Sequence, residues 1–232
     1  DVRIVTAPNV CRLTTSAAIN NITLAGGTLD LNSFTLTING TTATFSSGTV
    51  QNGSMVVPSA NATAFGTGAV TMDCAVTIST ATISIRNTTF QGTVNITKTG
   101  STNDSNNGGN IFNGASTITN AGSGNLVLAS SGPDRFYNTA TFNNTGSNSL
   151  YVAHNSSNNV FTGVTTFNNS PTANTLIYVS WYSAGTVFSN DIVVNATSGN
   201  GVQFCGGNAT ASVAISSGHT ISIGGSGFSS GA

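Results

Sequence analysis

The residues able to do chemistry in this chain are few and scattered. All six acids are aspartates: Asp1, Asp30, Asp73, Asp104, Asp134 and Asp191. The cations are Arg3, Arg12, Arg86, Arg135 and the single lysine, Lys98, with His154 and His219 as titratable bases. Glycoside hydrolysis needs two carboxyl groups flanking one bond. No two of these acids lie within four residues of each other, and Asp30 and Asp73 fall in strands of different repeat units. Asp104, in "NDSNNGG", and Asp134, in "GPDRF", read as turn residues, because a short carboxyl bonds the backbone of a tight turn. Calcium wants several clustered oxygen donors. Zinc wants closely spaced Cys and His. Neither pattern occurs, and His154 and His219 read as turn positions. The sequence therefore offers no catalytic residue, no cofactor-binding residue and no metal ligand.

The three cysteines are Cys11, Cys74 and Cys205, an odd number that leaves one thiol over. Cys11 and Cys74 are a candidate disulfide between the N-terminal segment and the rest. Cys205 reads as a small apolar side chain at the position held elsewhere by Ala129, Ala153 and Val179. The densest aromatic cluster, in "LIYVSWYSAG", holds Tyr178, Trp181 and Tyr182. Such rings either fill the interior or form a surface that stacks on sugars or proteins.

The elements that must hold these residues come from a repeat. Phe90, Phe112, Phe136, Phe161 and Phe188 are anchors, 22, 24, 25 and 27 residues apart. Six residues after each anchor stands another apolar side chain: Ile96, Ile118, Phe142, Phe167 and Val194. A second short strand follows at "LVLA", "LYVA", "LIYV" and "VQFC". Gly, Asn and Ser clusters separate the strands and turn the chain cheaply. One such unit cannot bury its apolar face alone, but stacked units can. The reading is an all-β parallel β-helix, or β-solenoid, with coils of about 20–27 residues. Residues 1–20, which fit no coil well, read as a cap or junction, and 21–232 as one solenoid domain that continues beyond both ends.

Composition agrees. Charged residues are 5% of the chain, against about 25% in ordinary domains. In an in-register stack every charge would face its copy in the next coil, which destabilises, whereas Asn, Ser and Thr form ladders. Melting is therefore expected to be nearly flat from about pH 4 to 9. Scattered cations and a net charge of -1 argue against nucleic acid. No apolar run of about 18 residues is present to span a membrane in this segment.

The units "TFNNTGSNSLYVAHNSSNNVFTGVTTFNNS" and "GTLDLNSFTLTING" resemble the repeats of giant cell-surface proteins of Bacteroidota, including gliding-motility adhesins exported by the type IX system. The resemblance implies a secreted, cell-surface filament or adhesin segment: a rigid stalk or contact module without catalysis. Its partners would be cell-surface or extracellular surfaces, polysaccharide among them, and neighbouring segments of the same long chain. The alternative is a carbohydrate-binding or polysaccharide-cleaving β-helix. An ice-binding solenoid is a minor alternative, suggested by Thr-x-Thr in "FTLTI" and set aside because Thr-x-Thr does not recur at the anchored spacing.

Overall fold

The computed structural model describes residues 1–5, 10–170, 172–196 and 201–225. Among these there is no helix, and every strand pairing is parallel. The chain winds as a β-solenoid of about 9 turns. Nineteen strands wrap as one sheet. Five others, Asp104–Ser105, Leu126–Val127, Leu150–Val152, Ile177–Val179 and Val202–Phe204, stack as a second wall. Early coils are tight, with long strands bending around corners at Thr42–Phe65 and Val70–Ile85. The second wall opens at Asp104. There, Ile83 N–H donates to the Asp104 carboxyl (2.8 Å) and Ile85 N–H to the Asn106 side-chain oxygen (2.6 Å). Side-chain acceptors thus take over where the backbone ladder changes, keeping buried donors satisfied.

The interior is built of columns. The anchor rings Phe90, Phe112, Phe136, Phe161 and Phe188 are buried and stack at 5.0, 4.4, 5.0 and 4.5 Å, as the repeat requires. Ile78, Ile96, Ile118, Phe142, Phe167 and Val194 form a second in-register column. Strand alternation puts the neighbours of these residues outside.

Polar ladders run beside the apolar ones. Asn120, Asn144 and Asn169 are fully buried, and each of the first two donates to the next amide oxygen, at 3.4 and 3.1 Å. Asn143 and Asn168 face the other way and make an outer ladder: Asn143 donates to Thr119 (3.1 Å), Asn168 to Asn143 (2.7 Å) and Asn195 to Asn168 (2.8 Å). The Asn-Asn dipeptides of the repeat are thus two ladders on opposite faces. Beyond the inner one the corner narrows, and Gly100, Gly122 and Gly146 stack so closely that a Cβ on Gly122 would run into the Gly100 carbonyl.

Of residues 1–20, read as a cap or junction, Val2–Ile4, Cys11–Arg12 and Ala17–Ile19 pair in register with the next coil, and residues 6–9 lie outside the described ones. Two expectations change. The second-wall strand of the fourth unit starts at Ile177, not Leu176, since Leu150 pairs with Ile177. This one-residue slip sends each side chain to the opposite face, so Cys205 stacks over Ser180 rather than Val179. Finally, Ala129, Ala153, Ser180 and Cys205 all have left-handed φ, from 53° to 60°. Their shared feature is a backbone corner as well as a small side chain.

Candidate surface-contact site

Second-wall strands put one side chain per coil outward. In successive coils these are Val127, Tyr151, Tyr178 and Gln203. Tyr151 and Tyr178 stack at 4.6 Å with their planes 15° apart. After Tyr178 the chain turns through the left-handed Ser180, which aims Trp181 edge-on at Tyr178 (4.5 Å) and Tyr182 edge-on at Trp181 (6.1 Å). Sequence proximity therefore does bring Tyr178, Trp181 and Tyr182 together. It missed Tyr151 and His154, whose ring sits edge-on between Tyr151 (5.1 Å) and Tyr182 (5.4 Å). The signal for Tyr151 was available, because it follows Leu150 as Tyr178 follows Ile177. His154 is packed among rings rather than standing free in a turn, and burial holds its imidazole below the ordinary value. Tyr182 is 41% exposed, while Tyr178 and Trp181 are half-buried. Only Tyr151 and Tyr178 meet face to face and the other rings meet edge-on, so the cluster offers a set of crossed rings with one exposed tyrosine rather than a broad platform.

The carboxyls are engaged by the chain's own donors. Asp30 accepts from Arg12 (2.9 Å), from Asn32 N–H (2.9 Å) and from Asn52 (3.2 Å). The Asn32 N–H is the main reason its carboxyl lies below the ordinary range. Asp191 is likewise held low, chiefly by Thr220 N–H at 2.8 Å, with His219 at 3.5 Å. Asp104 and Asp134, expected simply as turn residues, hold their carboxyls inside the stack, Asp104 from a strand. Both are buried. Asp134 occupies an inner column of Thr88, Asn110, Asp134 and Asn159, where each Oδ1 accepts the N–H of the coil below, at 3.1, 3.0 and 2.8 Å. Burial pushes its carboxyl up to about 7. Asp104 is raised for the same reason. Lys98 is also fully buried, its Nζ donating to the Gly100 and Gly124 carbonyls at 2.8 and 3.3 Å.

The candidate disulfide is not formed; all three thiols are free. Cys11 pairs with Leu29, Leu29 with Val50 and Val50 with Met72, so Cys11 lies three coils from the Cys74 region. Three strand spacings are roughly 14 Å, and a disulfide spans a Cα separation of at most about 7 Å. Cys74 is buried, and burial pushes its thiol up to about 12. Among the described residues no group of three or more His, Cys, Asp or Glu is placed to hold a metal ion. Compared with models of protein families, with curated proteins and with solved structures, the chain matches none.

Proposed function

We propose that this chain is a rigid, non-catalytic segment of a large secreted cell-surface adhesin or filament, serving as stalk and surface-contact module. The observation that carries the reading is the unbroken stack. Aromatic, aliphatic and amide columns pass in register from coil to coil. A solenoid in which each coil contacts only its neighbours extends by repetition, and repetition is what a stalk needs. The buried acids support the same reading, since Asp104 and Asp134 spend their oxygens on main-chain N–H groups. The test is immunolabelling of intact, unpermeabilised source cells with an antibody raised against this chain. Surface labelling is expected, and signal seen only after permeabilisation would sink the proposal.

The polysaccharide-binding alternative rests on the Tyr151, Tyr178, Trp181 and Tyr182 cluster. Aromatic edges and tyrosine hydroxyls suit sugar contacts. A screen for retention on soluble glycans, run beside one for release of reducing or unsaturated sugars, separates binding from cleavage and both from a plain stalk.

A further inference from the structure

The outward side of the wall that follows each phenylalanine anchor carries two columns of uncharged polar residues. In three successive coils they read Thr117 and Thr119, Thr141 and Asn143, Thr166 and Asn168, paired in register without a bulge. From Thr77 to Asn195 neither column holds a charge or an aromatic ring. Strict Thr-x-Thr appears here only once, which is why sequence reading set this pattern aside. What recurs is Thr-x-Thr or Thr-x-Asn five residues after Phe112, Phe136 and Phe161, flanked by Asn95-x-Thr97 in the coil before and Val193-x-Asn195 in the coil after.

Two features make this face more than a polar surface. The first is rigidity: the outer column is tied along the stack by Asn143 to Thr119 and Asn168 to Asn143. The second is availability. Among the described residues no intramolecular hydrogen bond engages the hydroxyls of Thr117, Thr141 or Thr166, and all three side chains are partly exposed. The hydroxyl and methyl groups of the Thr117 column and the hydrogen-bonded Thr119, Asn143 and Asn168 side chains beside it are thus fixed on a two-dimensional grid, about 4.8 Å across the strands and roughly 6.6 Å along them. Those spacings are close to the repeats of oxygen positions on a prism face of hexagonal ice.

We infer that this Thr/Asn face binds ice, by holding a layer of water in register with the crystal. Many weak contacts acting together on a rigid grid suffice, because a preorganised surface loses little entropy on binding. Crystalline polysaccharide fits less well, since neither column offers a ring to stack on a sugar. The inference deepens the adhesin reading by naming the surface such a segment would contact.

The test uses the purified 232-residue chain in a nanolitre osmometer, with circular dichroism to confirm folding. The folded wild type is expected to shape ice crystals and open a thermal hysteresis gap. The double variant Thr141→Lys, Thr166→Lys should lose both, and Thr162→Lys, exposed on the adjoining wall, should keep both. If the double variant fails to fold, Thr166→Tyr takes its place with the same expected loss. A folded wild type that leaves ice unshaped overturns the inference, as does a folded face variant that still shapes it. Sedimentation with cellulose or chitin powder but no action on ice overturns it as well. Scattering measurements on the same sample separate this failure from that of the stalk reading: a rod that ignores ice sinks only the ice proposal, and a chain that is no rod sinks both.

Discussion

At the residue scale, Asp134 departs furthest from its expected role. Its neighbours in the column, Asn110 and Asn159, are neutral amides. A carboxyl in that dry ladder is best kept protonated. The sign of the linkage follows from its raised value of about 7 against an ordinary 3.8. Its stabilising contribution is complete below about pH 4. It is lost as pH rises, first as the unfolded chain releases its proton, until the folded group ionises near 7. Asp104, raised by burial, adds a loss in the same direction. Asp30 and Asp191, held low by N–H donors, do the reverse: their contribution is present above the ordinary value and disappears as pH falls through the folded one. Melting should therefore not be flat, as composition alone suggested, but should decline from about pH 4 to 7. Asp134→Asn, which restores the amide of its column, should remove most of that decline and stabilise the protein at pH 8 by on the order of a few kcal/mol. Urea unfolding of both proteins across pH 3–9 checks this; parallel profiles would show that Asp134 is not the group responsible.

At the scale of the element, each column is a continuous object, and a break in its middle should cost more than one at its end. Phe136 stacks on Phe112 and Phe161 and meets Phe142 edge-on at 5.3 Å. Phe136→Ala should cost about 3–5 kcal/mol, from lost transfer energy plus an unfilled cavity. Asn144 links two neighbours of the inner ladder and also donates to Thr175 (3.2 Å). Asn144→Ala should cost about 1–3 kcal/mol, because buried amide groups above and below lose a partner. Gly122→Ala is the sharper test of coil spacing: its methyl would meet the Gly100 carbonyl, part of the backbone and unable to swing aside. A loss of at least about 1–3 kcal/mol is expected from the overpacking. Equilibrium denaturation measures all three, and a neutral Gly122→Ala would mean that the coils are further apart than the ladders indicate.

At the scale of the whole molecule, the ladder architecture predicts indifference to salt. Among the described residues the ion pair is Arg12–Asp30, with an exposed arginine, and the His219–Asp191 contact becomes a second only when the imidazole is protonated. Exposed pairs contribute little and are what salt screens. The melting temperature in 1 M sodium chloride should stay close to that in dilute buffer, apart from any general salting-out effect. Differential scanning calorimetry in sodium chloride, with sodium perchlorate to expose ion-specific effects, measures it. A fall on adding chloride would point to electrostatics beyond these two contacts. About 9 turns at about 4.8 Å each give a rod of roughly 43 Å, which small-angle scattering reads directly.

Sequence by itself determined the fold class, the phenylalanine column and the coil spacing over residues 85–205. In a solenoid long-range contacts repeat at a fixed interval, so a periodicity visible along the chain is also a contact map. It also placed Tyr178, Trp181 and Tyr182 in one cluster, because they are neighbours in the chain. Tertiary structure alone decided whatever depends on which face a residue occupies and what lies one coil away. Asp104 and Asp134 looked like turn residues because Asn, Gly and Pro surround them; only the stacked coils show that their carboxyls turn inward to buried N–H groups. Cys11 and Cys74 looked pairable until coil rise separated them. Val2–Ile4 and Ala17–Ile19 lacked the anchor pattern yet pair with Ile22–Leu24 and Leu36–Ile38, because such pairing rests on backbone hydrogen bonds rather than on side-chain type. The Thr/Asn face stayed hidden for a related reason: a surface grid is set by register and twist, and a single strand carries neither.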